Sequence, residues 1–133
     1  MEAIQIRSFH KNDFDSIQHL NKEEGWDGLV QRGEETLCSL LNSEPALVAV
    51  SEDGEVIGYL RGLTDGALTL YVCELLVKEG ERSQGIAKRL ISTAHECYPD
   101  TRVEMLANQQ SESYYSNHGY RAFYGFRKSS EEM

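Results

Sequence analysis

Cys73 to Leu90 reads CELLVKEGERSQGIAKRL. An apolar run ends at Val77, a polar turn follows, and Gly85-Ile86-Ala87 opens a helical pattern. The first turn of a helix has unpaired N–H donors, and its dipole favours negative charge. Gly85 and Ala87 carry almost no side chain, so a phosphate has room to approach the backbone. Arg82 and Lys88 add positive charge in an acidic chain. The stretch therefore reads as strand, anion-binding turn and helix. It lacks the Gly-x4-Gly-Lys-Ser/Thr string of a nucleotide-triphosphate loop and the Gly-x-Gly-x-x-Gly of a dinucleotide turn.

Working outward, Leu68 to Val77 predicts a long apolar strand and Gly85 to Tyr98 a helix, with Ile86, Leu90, Ala94 and Cys97 on its apolar face. Pro99-Asp100 stops that helix. Thr101 to Leu106 predicts a strand, and Gln109 to His118 a short helix ended by Gly119. Tyr120 to Arg127 (YRAFYGFR) alternates and predicts a last strand, with Ser129 to Met133 as a frayed tail. Upstream, Ala3 to Phe9 alternates as a first strand. Phe14, Ile17 and Leu20 recur at helical spacing, with Asn12 or Asp13 as the cap. Gly25 to Gly28 ends that helix. A second runs from about Glu34 to Leu41, with Leu37, Leu40 and Leu41 sharing a face. Ala46 to Val50 and Val56 to Leu63 flank an Asp-Gly hairpin turn. The order is β-α-α-β-β-β-α-β-α-β. Short turns make the middle three strands antiparallel, and the strand–helix–strand step from Leu68 to Leu106 makes a parallel crossover. The fold class is α/β, a mixed sheet with helices on both faces.

The 133 residues suit one domain. Acidic residues outnumber basic ones 22 to 13, for a net charge of −9. That charge argues against nucleic acid as a partner and is compatible with a cationic substrate, although it also serves solubility alone. No apolar run is long enough to predict a membrane span. MEAIQIRSFH alternates and is charged, unlike a secretory leader. Cys38, Cys73 and Cys97 make neither a metal pattern nor a disulfide framework, so they read as reduced thiols in a cytoplasm, with no metal expected.

Two segments together resemble the GCN5-related N-acetyltransferase (GNAT) family. Arg82-Ser83-Gln84-Gly85-Ile86-Ala87 looks like its Arg/Gln-x-x-Gly-x-Gly/Ala acyl-CoA signature. Asn108 to Tyr120 (NQQSESYYSNHGY) is similar to its later segment: an Asn, a Tyr seven residues on, then Gly and an aromatic at Gly119 and Tyr120. The order of strands and helices agrees over nearly the whole chain. Glu79 stands where many members have Pro, and Ser83 and Ala87 where many have Gly. The resemblance implies a GNAT-like acyl-CoA N-acyltransferase fold and a single N-acetyltransferase domain over residues 1–133.

It also implies acetyl-CoA as acyl donor and a primary amine as acceptor. The amides of Arg82, Ser83, Gln84, Gly85, Ile86 and Ala87 would hold the pyrophosphate, aided by Lys88. Leu75, Leu76 and Val77 would pair with the pantetheine arm, one amide near Leu76 or Val77 facing the thioester oxygen. Asn108 would complete the donor site. Tyr115 matches the family's general acid, since a phenol can donate to the leaving sulfur; packing between helix and sheet is its alternative role. Glu74 is the only charged residue in its apolar strand. It is the local candidate for the base, with a pKa raised by such surroundings and a face shared with Val72 and Leu76. A structural hydrogen bond would serve it equally, and water relayed from Glu24 or Asp27 is another route. Glu24, Trp26 and Asp27 form a candidate wall for a cationic acceptor, unless Trp26 closes the core. His118 reads as a complement to the helix C-terminus. A protein or peptide acceptor and a non-catalytic acyl-CoA-binding module are the alternatives. The chain is compatible with a homodimer.

Overall fold

The computed structural model describes residues 3–133. Five strands make one sheet in the order β1 (Gln5–Ser8), β2 (Ala46–Val50), β3 (Val56–Thr64), β4 (Thr69–Val77) and β5 (Arg102–Met105). The first four pair antiparallel and β4 pairs β5 in parallel, as the short and long connections require. The helices are α1 (Phe14–Glu24), α2 (Asp27–Gln31), α3 (Gly33–Leu41), α4 (Ile86–Glu96) and α5 (Glu112–Asn117). No helix among the described residues is long and apolar enough to cross a membrane.

The sheet has helices on both faces, and its inner strands are apolar on both. Leu47, Ala49, Ile57, Leu60, Leu70 and Val72 pack against Ile86, Leu90 and Ala94 of α4. Val48, Val50, Tyr59 and Leu76 pack against Ile17 and Leu20 of α1 and Leu40 of α3. β2 shows the alternation most simply: odd residues face α4 and even residues face α1. On the α1 side the buried Tyr59 hydroxyl donates to Asn21 Oδ1 at 2.7 Å.

Several expectations change. α2 is an additional short helix between Trp26 and Arg32. Leu41 and Cys97 are exposed; Leu40 carries the apolar burial in α3, and Ile91 joins Ile86, Leu90 and Ala94 in α4. Asp13 stands at the start of α1 without capping it. Its carboxylate instead takes two 2.9 Å bonds from Arg7 and one from the His10 N–H. In the expected tail, Ser129 to Met133, Ser129 and Glu132 close a single exposed 3-10 turn as a capping box.

The expected last strand does not form: Tyr120 to Arg127 pairs with no strand. Its alternation puts Phe123 on one side and Tyr124 and Phe126 on the other, so a strand there needs apolar cover on both faces. The two cores already close without it, and the three rings are 80%, 96% and 94% exposed.

Candidate functional site

β4 builds the centre of the site. It pairs with β3 over its length but with β5 only from Thr69 to Val72. Beyond Val72 the far edge of β4 has no strand partner among the described residues, because β5 ends at Met105 and the chain departs toward α5. The backbone of Glu74 to Val77 thus flanks a gap between diverging strands, and an extended ligand can add to such an edge.

A bulge lies at the point of divergence. Arg61 faces Glu74 and Gly62 faces Val72, which leaves Cys73 without an opposite residue. The extra residue inverts the facing of everything after it. Val72, Leu75 and Val77 belong to the α4-side core and Leu76 to the α1-side core. Glu74 therefore shares a face with Leu76 but not with Val72, which corrects the simple alternation of the sequence reading.

Glu74 is also not alone in apolar surroundings. Arg61 Nε and Nη2 donate to its two oxygens at 2.5 and 2.8 Å, and Arg61 Nη1 reaches Ser43 Oγ at 3.2 Å. Both side chains are 17% exposed. The hydrogen bond to Glu74 raises the Arg61 pKa further, while burial pushes the Cys73 thiol up. The sequence reading missed Arg61: the sequence shows a lone cation in β3 and a lone acid in β4, and only the strand register sets them opposite each other.

At the mouth of the gap, Gly85 adopts φ 79° and leads into α4, whose first turn receives no side-chain cap. Ser83 adopts φ 69°, a left-handed conformation that favours glycine. A Cβ on Gly85 would meet nothing within 4 Å, so this backbone stands open to an approaching group. Arg82 points away from the helix start. Its Nε donates to the Val77 carbonyl at 2.9 Å and its Nη2 to Glu24 Oε1 at 2.5 Å. It fastens the turn to the end of α1. Gln84 reaches Glu81 at 3.3 Å. Lys88 faces a groove of about 440 Å³ between α4 and α5, lined also by Ile91, Ser92, Tyr114, His118 and Tyr120.

α5 presents the tyrosines. Asn108 caps it from outside, its Oδ1 accepting the Gln110 and Ser111 N–H groups at 2.9 Å each. Gly119, at φ 91°, ends the helix as expected. The Tyr120 N–H bonds the Tyr115 carbonyl at 3.1 Å and Gly119 bonds Ser116 at 3.4 Å, a Schellman closure. Its customary apolar contact is the edge-on pair of Tyr115 and Tyr120, 5.4 Å apart. Tyr115 is half-buried against the α4-side core, and its hydroxyl has no hydrogen-bond partner among the described residues. Burial, with smaller effects from Tyr114 and Tyr120, pushes its pKa up to about 12. Tyr114 lines the groove instead and stacks on His118 at 4.1 Å. His118 Nδ1 lies 2.7 Å from the Tyr114 carbonyl in the last turn, consistent with its helix-end reading.

On the α1 side, a cleft of about 400 Å³ opens between Leu20, Glu23 and Glu24 of α1 and Leu76 to Gly80 after the bulge. Glu24 lines it, but Trp26 and Asp27 do not. α1 ends in a Schellman turn at Gly25, with the Trp26 N–H on the Asn21 carbonyl at 2.9 Å, and this folds the half-buried indole onto the α1-side core. Asp27 is exposed in the first turn of α2.

The structure thus brings together an open strand edge, an uncapped helix start and a phenol on the facing helix. The sequence model of the Acetyltransferase (GNAT) family matches residues 6–120, most of the chain. The chain belongs to this family. Its chemical class is that of an acetyl-CoA-dependent acyltransferase. GNAT-fold structures are similar to it over most of their length. A GNAT family acetyltransferase from Streptococcus pneumoniae TIGR4 has a TM-score of 0.78 at 21% identity, covering 99% of this chain and 100% of that one. The PaiA N-acetyltransferase of Thermoplasma acidophilum, solved with coenzyme A, has a TM-score of 0.74 at 16% identity, covering 90% of each chain. The aminoglycoside N-acetyltransferase AAC(6')-Iy, also solved with CoA, has a TM-score of 0.70 at 17% identity and 96% coverage of each chain. No curated protein matches the chain in sequence at a significant level.

Proposed function

We propose that the protein transfers the acetyl group of acetyl-CoA to the primary amine of a small cationic molecule, by direct attack in a ternary complex. The observation that carries this reading is the junction of β4 and α4: an open strand edge runs into an uncapped helix start, with an unengaged tyrosine on the facing helix. Leu75 to Val77 would hold the pantetheine arm and the amides of Arg82 to Ala87 the pyrophosphate, since helix-start donors favour anions. Lys88 adds charge from the groove, and Asn108, its Oδ1 committed to the cap, offers only its NH2. Arg82 holds the turn in shape through Val77 and Glu24 more than it contacts phosphate.

In the chemical step the amine nitrogen attacks the thioester carbon. A C–N bond forms, the C–S bond breaks, and a backbone N–H near Leu76 or Val77 faces the oxygen as it gains charge. Tyr115 gives its proton to the departing sulfur, yielding free thiol. The amine loses one proton, which water in the α1-side cleft beside Glu24 carries to solvent, and solvent returns a proton to Tyr115. Glu74 is assigned to orienting the amine more than to removing that proton, because Arg61 engages both its oxygens. The α1-side cleft supports a cationic acceptor, since Glu23, Glu24 and Glu79 outnumber Lys78 along it. Trp26 and Asp27 shape the ground behind that wall. The cytoplasm is the proposed location, in keeping with three free cysteines.

Thiol release from acetyl-CoA, followed over diamines, polyamines, aminoglycosides and peptides, tests this. Turnover should be highest with compact polycationic amines. Turnover confined to peptides would overturn the acceptor class. Acetyl-CoA binding with no transfer to any amine would leave a binding module.

A further inference from the structure

Arg82 joins two regions that the chemistry keeps apart. Its backbone belongs to the donor turn, and its side chain crosses to the acceptor side. Nε donates to the Val77 carbonyl at 2.9 Å and Nη2 to Glu24 Oε1 at 2.5 Å. Among the described residues this is the one hydrogen bond or ion pair between α1 and residues 78–85. Glu24 also lines the α1-side cleft. The other charges of that cleft are placed differently: Glu23 lies 3.2 Å from His19, Lys78 is bound to Glu55 at 2.6 Å, and Glu79 is exposed. Glu24 Oε2 has no partner among the described residues. The Glu24 and Arg82 side chains are 29% and 44% exposed, so each end of the pair can meet a ligand. Glu24 is the last residue of α1, where the helix dipole also favours a cation, and Arg82 stands before the start of α4, where it favours an anion.

We propose that the Arg82–Glu24 pair couples the two substrate sites, with Glu24 Oε2 as the ligand of the acceptor ammonium and Arg82 as a positioning residue between acceptor and donor. The inference rests on the cationic acceptor proposed above. With both ligands bound the charges alternate: pyrophosphate, Arg82, Glu24, ammonium. In the free protein Arg82 and Glu24 neutralise each other, so each attracts its own ligand weakly. A pyrophosphate on the turn takes up part of the Arg82 charge and leaves more of the Glu24 charge for the ammonium. An ammonium at Glu24 does the reverse, and linkage makes the two effects equal. Arg82 keeps its bond to the Val77 carbonyl throughout, so the turn holds its shape while the charge is shared.

Titration calorimetry of the full chain with CoA, which binds without turning over, tests this. The amine is the best acceptor of the panel above, or spermidine where none turns over. At saturation it should tighten CoA binding to the parent by about fivefold, the low end of typical couplings between sites. Adenosine 3′-phosphate 5′-diphosphate, the CoA fragment without the pantetheine arm, should show the same coupling, since it does not reach the amine. Glu24→Gln keeps an oxygen for Arg82 and removes the charge. With no amine present it should tighten CoA by about threefold, because Arg82 is no longer neutralised, and adding the amine should then change nothing. CoA affinity that falls or stays level in Glu24→Gln overturns the proposal, since the pair then merely braces the turn. Coupling that survives in that variant, or that is absent with the fragment, overturns it too. A parent indifferent to the amine, with CoA still tightened in Glu24→Gln, places the fault in the cationic acceptor and overturns the coupling with it.

Discussion

Glu74 shows how one partner changes the chemistry of a side chain. A carboxylate alone in an apolar strand reads as a base, and the same carboxylate bound by both Nε and Nη2 of Arg61 reads as half of an ion pair that positions rather than abstracts. Glu74→Gln leaves Arg61 largely buried and uncompensated. It should lower unfolding stability by about 2–4 kcal/mol, somewhat below the loss for a fully buried pair. Chemical denaturation measures this, and the acidic limb of the pH–rate profile should stay where it is. A limb that disappears in the variant would restore Glu74 as the base. Tyr115 behaves in the opposite sense. Its raised pKa, about 12, keeps the phenol protonated well above neutral pH, as an acid in this position needs. The place of Tyr115 in the last turns before the Gly119 helix stop was legible from its spacing to Asn108 and Gly119. The Arg61–Glu74 pair was not, because it depends on register between strands that sequence alternation does not fix.

The turn from β4 to α4 is where an element's backbone, more than its side chains, makes the site. Ser83 and Gly85 both hold positive φ, at 69° and 79°, and only the second is a glycine. Ser83→Gly should relieve strain and raise stability by about 0.5–1 kcal/mol, while Gly85→Ala should lower it by about 1–2 kcal/mol. Thermal denaturation reads both. Gly85→Ala should also weaken acetyl-CoA binding severalfold in calorimetry, since its Cβ projects into the space left open to ligand. Strand, turn and helix were all visible in the sequence here. The bulge at Cys73 was hidden, because Leu70 to Val77 is apolar on both faces and no periodicity breaks when the facing inverts. The last strand failed for a related reason. Alternation states that a segment can pair, and it leaves open which edge it pairs with.

For the whole molecule, two carboxylates set the acid limit. Burial pushes the Asp13 carboxyl up, but the bonds from Arg7 and the His10 N–H outweigh it, and the net pKa lies below the ordinary value. Asp65 accepts three backbone N–H groups in the β3–β4 turn, chiefly those of Ala67 and Leu68, which hold it at about 2. Both are depressed in the folded state. Their stabilisation is therefore present above the unfolded values near pH 4 and is lost as pH falls through the folded ones. Stability should decline below about pH 4, and Asp13→Asn should flatten that decline. A decline that is unchanged in the variant would mean that other carboxylates carry it. At this scale the mixed sheet with helices on both faces was legible from periodicity and connection length. The divergence of β4 from β5 was not, since it follows from β5 being only four residues long.

The account rests on Tyr115 serving the sulfur of a bound acetyl-CoA. Turnover of Tyr115→Phe, measured as thiol release at saturating acetyl-CoA with the best amine, tests it most directly. The phenol proton is lost while the ring packing on Tyr120 is kept, so kcat should fall by about 100-fold or more with acetyl-CoA affinity unchanged. A variant that turns over within a factor of about two of the parent would contradict the role of Tyr115 as general acid.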